Sequence, residues 1–355
     1  MAAFVTGEVV EVVEETPEVV RVRVSYPDGE LEAAAFPAMC GPLGPGDQVV
    51  VNVTGIRLDL GTGGEGFVLW NLSGNGPAVS SDGHIVKLRY TPWQMNVMAA
   101  EAPESPHHDV IRDKRSIDGL PVVAASLHSQ VAGIAAGVKA ARSDAKVGYV
   151  MTDGAALPLA WSRLAGRLRR SGLIDVTCTA GHAFGGDHEA VNVYSALAVL
   201  RWVEEVDVAV VAMGPGIVGT GTALGFTGVE QAQILDLTDA LDGTGVACLR
   251  VAFADRRERH HGVSHHTITA LTLARSRSTI VVPSLGGREA ELLDDLEAAG
   301  LTNQHAIVVG DGSPGVELLD REGIAPTSMG CGLDEIPELF LAAAAAGTHA
   351  VGSAR

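Results

Sequence analysis

This chain is short of several things, and each shortage excludes something. Aromatic residues make up 4% of its 355 residues, so Val, Ala, Leu and Ile must fill any core. There are four cysteines, Cys40, Cys178, Cys248 and Cys331, far apart and without a CxxC pair. That argues against a thiolate zinc site and a disulfide framework. Basic residues are scarce, 25 against 43 acidic, for a formal charge of −18. Such a surface repels phosphate backbones, so nucleic acid is not an expected partner. No apolar run reaches membrane-spanning length; the stretch Leu339 to Gly347 is far too short. The opening MAAFVTGEVVEVVEE lacks the basic and apolar regions of a secretory signal. A cytoplasmic protein with no membrane partner is the expectation.

What remains divides into two regimes. Residues 1–78 read as β throughout. GEVVEVVEE, EVVRVRVSY, ELEAAAF, DQVVVNVTG and GFVLWNL are separated by TPE, YPDGE, GPLGPGD and GTGGEG, which are turn formers. Five or six short strands without a helix predict a small barrel or sandwich. It carries 3 basic and 11 acidic residues, most simply a solvated barrel surface. Residues 79–119 read as a linker and bridging segment. From 120 to 355 strands alternate with helices. Strands are expected at PVVAAS, KVGYVM, DVTCT, VDVAVVAM, VACLRVAF, STIVVPS and HAIVVG. Apolar strands between amphipathic helices mean a mostly parallel sheet covered on both faces. Seven strands without a visible eighth favour an open, doubly wound α/β sheet over a closed barrel.

In such a sheet the carboxyl ends of the strands form the ligand crevice. Seven of the twelve histidines fall there: His128, His182, His188, His260, His261, His265 and His266. Asp153 follows the second strand. The third runs into GHAFGGDHEAVN, with His182, Asp187, His188 and Glu189. Asp187 also fits an N-cap for a helix running from Glu189. After the fourth strand come Gly214, Gly216, Gly219, Thr220, Gly221 and Thr222, a loop able to present amides to an anion. The fifth strand ends in Asp255, Arg256, Arg257, Arg259 and four histidines, with Ser264 a natural N-cap. Ser129 is a further cap candidate. In the first helical turn the positive dipole end disfavours imidazolium at His265 and His266, and a neutral imidazole can take a proton or a metal. Cys178 lies in an apolar run, as a buried inert thiol would.

No loop carries a diagnostic motif. There is no Walker A lysine, no clean GxGxxG, no GxSxG and no HExxH. Taken together, however, LHS, YVMTDGAALP, GHAFGGDHEAVN, MGPGIVGTGT and SHHT resemble the DUF3866 family of bacterial proteins of unknown function. The resemblance covers most of the chain and implies no activity.

The residues therefore carry the functional expectation: an enzyme hydrolysing a small anionic, perhaps phosphorylated, metabolite with a divalent metal. His182, Asp153 and Asp255 are the expected ligands, joined by one or two of His260, His261, His265 and His266, with His261 and His266 the first choice. Zinc, iron or manganese would suit imidazole with carboxylate. His188, Asp187 and His265 are the candidate proton-transfer groups. The Gly214–Gly228 loop with Arg257 and Arg259 would hold the anion. The alternative is a regulator that binds a small molecule without catalysis. Close packing of small residues suits a homo-oligomer as well as a monomer core.

Overall fold

Period-two Val and Ala make the first unit a barrel. The computed structural model describes residues 2–59, 64–74, 76–77, 81–255 and 257–353. The chain forms two units, residues 1–97 and 98–355. In the first, β1 (Phe4–Glu15), β2 (Val20–Tyr26), β3 (Gly29–Ala35), β4 (Gln48–Asn52) and β5 (Gly66–Asn71) close in the order β1-β2-β3-β5-β4. β3 and β5 run parallel and the other pairs antiparallel. This is a five-stranded Greek-key arrangement of the kind seen in OB barrels. Val9, Val22, Val24, Ala33, Val49 and Val51 fill the inside, and the intervening Glu and Arg positions pair outside, as Arg23 does with Glu11. Two single-turn helices, α1 (Pro37–Cys40) and α2 (Thr54–Arg57), sit in the connections, and the hairpin β6 (Ile85–Lys87) with β7 (Met95–Val97) ends the unit.

The second unit is an open α/β sheet. After the short α3 (His108–Ile111) come β8 (Pro121–Ala124), α4 (Gln130–Ala141), β9 (Val147–Thr152), α5 (Arg163–Arg170), β10 (Val176–Ala180), β11 (His188–Ala190), α6 (Val193–Trp202), β12 (Val208–Met213), α7 (Glu230–Ala240) and β13 (Thr244–Cys248). A two-residue hairpin follows, β14 (Val251–Ala252) with β15 (Gly262–Val263). Then come α8 (His265–Leu273), β16 (Thr279–Pro283), α9 (Glu289–Ala298), α10 (Leu301–Gln304), β17 (Ala306–Gly310), α11 (Ser313–Arg321) and α12 (Pro337–Ser353). Eight strands lie side by side as β11-β10-β9-β12-β8-β13-β16-β17, every pair parallel. Alternate strand residues serve opposite faces. Val122, Ala124, Ala209 and Val211 pack with α6, α7, α8 and α9; Val123, Val208, Val210 and Ala212 pack with α4, α5, α11 and α12.

The expected architecture holds, with local corrections. The eighth strand is β11, residues expected to begin a helix. His188, Glu189 and Ala190 instead pair with Cys178, Thr179 and Ala180. The helix starts at Val193 because Asn192 and Ser195 form a capping box, and that reciprocal pair outcompetes a lone Asp187. Asp187 accepts from Thr177 N and Oγ1. Ser129 caps nothing; its Oγ has no partner, and its own backbone is already helical. Ser264 does cap α8, accepting from His266 N.

One face is sealed backbone to backbone. α4 and α12 lie side by side on this face of the sheet, and glycines set the distance between them. A Cβ at Gly137 would fall 2.0 Å from Ala344 O, and one at Gly347 2.0 Å from Ile134 O. A Cβ at Gly315 on α11 would fall 2.8 Å from Gly137 N. The small residues thus serve contacts within one chain. Among the described residues no helix is long and apolar enough to cross a membrane.

Gly137→Val should therefore destabilise the protein by about 3 kcal/mol or more, the upper end of overpacking costs. Gly352→Ala, where a Cβ meets nothing within 4 Å, should be close to neutral. Chemical denaturation of the two variants checks this, and equal midpoints would refute the packing account.

Candidate functional site

The sheet order places a crevice. From β8 the chain moves outward to β9; from β12 it crosses back over β8 to β13. Connections leaving neighbouring strands in opposite directions open a gap at their carboxyl ends. The Gly-rich loop after β12 and the segment after β13 meet on this side of the sheet.

After β13 the chain passes Leu249 and Arg250, turns through the β14–β15 hairpin, and returns to Ser264, whose N–H donates to Arg250 O at 2.9 Å. The hairpin brings His260 back onto the first turn of α8. Ser264 Oγ fixes both sides: it lies 2.7 Å from His260 Nδ1 and accepts from His266 N at 3.3 Å. Ring centroids are 5.0 Å apart for His260 and His265, 4.9 Å for His260 and His266, and 4.3 Å for His265 and His266. One nitrogen from each ring lies within 4.8 Å of the other two. His265 Nε2 is buried and has no hydrogen-bond partner. Across the cluster, Phe226 stacks flat on His266, centroids 4.0 Å apart and planes 6° from parallel.

The imidazoles are held neutral. Burial lowers His260 to about 3 and His266 to about 4, with the Arg250 and Arg257 charges adding to each. His265 is lowered by burial and by Arg259. Arg250 is 7% exposed. Its NH1 donates to His266 Nδ1 at 3.3 Å, and no carboxylate pairs with it among the described residues. Burial and the neighbouring Arg257 lower its own pKa to about 10.

A family model described as Protein of unknown function (DUF3866) matches residues 32–347. The chain belongs to the DUF3866 family. Neither curated proteins nor solved structures give a match. The reading of this DUF3866 site therefore rests on its own residues.

The structure gathers only part of the set expected from sequence. His265 and His266 meet, with His260 as the third ring. His261 is exposed and meets the edge of Phe253 instead. Asp255 is gripped by Arg257 through two hydrogen bonds, of 2.9 and 2.7 Å, which holds its carboxyl far below the usual range. That pair removes Asp255 as a ligand and Arg257 as a free anion clamp. Arg256 lies outside the described residues. Arg259 is exposed and has no acidic partner among them.

Asp153 and His182 join each other rather than the cluster. His182 N donates to Asp153 Oδ2 at 2.9 Å, and Gly181, at φ +66°, lets that carboxylate approach where any Cβ would collide. His188 Nε2 bonds Glu204 Oε1 at 2.6 Å, and Asp187 also pairs with Arg169. Both sit on or beside the edge strand β11, five strand spacings from β13, about 24 Å at ~4.8 Å each. They cannot act on a group bound at the histidine cluster.

The glycine loop folds on itself. Thr220 N and Oγ1 donate to Gly225 O, and Thr222 Oγ1 accepts from Gly225 N. Gly214 is buried against Ala156 and Met151. Gly216 and Gly221 take positive φ to make the turns. Only Gly219 meets the site, its Cβ position 3.4 Å from His266 Cε1. The loop acts as a wall that seats Phe226.

Sequence reasoning missed Arg250 and Glu230. Arg250 was visible as the one cation inside the apolar run VACLRVAF. Glu230 reads as an ordinary acid at a helix start. In the fold both its oxygens meet Thr152 Oγ1, at 2.9 and 3.0 Å, and burial holds its carboxyl up to about 7 despite that bond. His128 is half-buried, with its ring nitrogens on Ser162 Oγ (2.6 Å) and Tyr149 OH (3.2 Å), and desolvation lowers it to about 4. It is a structural imidazole.

Glu230 gives a signed pH prediction. Its folded pKa lies above the ordinary value of 4.5, so the unfolded chain loses its proton first as pH rises. The stability contribution is complete below about pH 4.5 and is lost as pH climbs through about 7. Glu230→Gln should flatten the fall in stability over that window. Denaturation curves at several pH values test it; an unchanged slope would remove the assignment.

Proposed function

We propose that this protein is an enzyme that hydrolyses a small anionic molecule at the His260–His265–His266 cluster with a divalent metal. The observation that carries this reading is the convergence of three neutral imidazole nitrogens within 4.8 Å. The unpartnered, buried His265 Nε2 fits a missing ligand. Three histidines with an open position match the donor set of catalytic zinc, and imidazole also suits iron. The metal would supply Lewis acidity toward water or a substrate oxygen. The chain's own residues do the rest. Ser264 orients His260 as an outer-shell partner does, and Phe226 holds the plane of His266. Glu230, which opens the helix that follows Phe226, would offer a carboxyl poised near neutrality for proton transfer. A cytoplasmic setting belongs to this reading and is supported by four free cysteines, three of them buried.

One observation favours a second reading. Arg250 donates to His266 Nδ1, which leaves the proton on Nε2, whereas ligating histidines normally donate their second nitrogen. Under that reading the imidazoles are N–H donors around an anion, no metal is held, and the protein is a ligand-binding regulator.

Elemental analysis of protein purified without chelator or affinity histidines separates the two. Near-stoichiometric zinc, iron or manganese is expected, with loss of most of it in His260→Ala and His265→Ala and retention in His261→Ala. Absence of metal after incubation with divalent ions would overturn the hydrolase reading.

A further inference from the structure

A buried guanidinium without a counter-ion is expensive. Removing a charge from water costs several kcal/mol unless a partner compensates. Arg250 is more than nine-tenths buried, and its side chain reaches only a neutral imidazole nitrogen. The carboxylate whose charge acts on it, Asp255, is already occupied on both oxygens by Arg257. Arg259 adds a second cation with no acidic partner among the described residues, and its charge is felt at His265, His266 and Arg250. Two uncompensated positive charges thus sit beside the histidine cluster of a chain whose formal charge is −18. Of the other acids at the hairpin, Glu338 accepts from Phe253 N, Asp295 accepts from Val263 N, and Glu258 is exposed.

We infer that Arg250 and Arg259 form a binding site for a phosphoryl group, placed beside the histidine cluster. The inference rests on the reading that this site takes an anion, and it does not require the metal. Charge selects the ligand class. A phosphate carries roughly −1.5 to −2 at neutral pH, which balances two guanidiniums; a carboxylate balances one. A guanidinium fork matches phosphate oxygens through parallel N–H bonds, and Arg250 still has donors beyond the NH1 given to His266. The ring centroids of His260 and His265 lie 4.9 and 4.3 Å from that of His266, the ring that Arg250 contacts, so a phosphate monoester held on Arg250 would present its ester linkage to the imidazoles.

The test uses chelator-treated full-length protein and inorganic phosphate, read by thermal shift and isothermal titration. Acetate and chloride at matched ionic strength are the controls. Saturable stabilisation by phosphate and none by acetate is expected. Arg250→Lys, which keeps the charge and loses the fork, should weaken the apparent phosphate affinity about tenfold or more. Arg259→Ala, at an exposed position that does not endanger folding, should weaken it several-fold. Arg288→Ala, a surface arginine paired with Glu291, should leave it unchanged. No saturable phosphate effect, an equal effect of acetate, or full affinity in Arg259→Ala and Arg250→Lys would each overturn the site. Metal content measured on untreated samples keeps the two readings apart. Metal without phosphate binding sinks this inference alone, and phosphate binding without metal sinks only the metal-dependent reading.

Discussion

The second unit depends on how closely α4 can approach α12. A parallel sheet must be covered on both faces, and one cover here is rich in Ala and Gly where α4 meets α12. Gly133 and Gly137 on α4, Gly347 on α12 and Gly315 on α11 let three helix backbones touch. That contact holds the helix after β8 in place, and so sets where β8 can release the chain at the sheet's carboxyl edge. With so few aromatics, the protein reaches its packing density by shortening distances instead of filling them.

The electrostatics of the site run against those of the whole molecule. Acidic residues dominate the surface, yet the segment from Arg250 to His266 gathers cations and imidazoles. Burial and the arginine charges act in the same direction on the histidines, and both keep them neutral. Asp255 offsets Arg257 and so limits the local excess. The arrangement gathers guanidinium donors and imidazole lone pairs with little acid to neutralise them.

Much of this was legible in the sequence. Period-two valines give the barrel, and apolar strands alternating with helices give the doubly wound sheet. The edge that carries chemistry follows from where histidines and glycines fall. The exact set of residues was not legible, for physical reasons. His260 and His261 are neighbours, and only the twist of a two-residue hairpin decides which one faces α8. Asp153 and His182 look like ligands in one dimension, but a loop-to-loop hydrogen bond uses the carboxylate. Asp187 and His188 fit a helix start in one dimension, while backbone pairing with β10 makes His188 part of an edge strand and leaves Asp187 just before it, its carboxylate on Thr177. Arg250 looked like one polar residue in a strand because its burial depends on contacts that no local pattern encodes.

The hairpin that carries His260 is closed at its neck, where Ser264 N meets Arg250 O. Every group of the cluster except Phe226 lies between those two residues or within two positions beyond them. The centre is thus a local cassette whose parts are near each other along the chain before the sheet has formed. Assembly of the site asks little of long-range folding; the rest of the unit supplies a wall, a lid of one aromatic ring, and shelter from water.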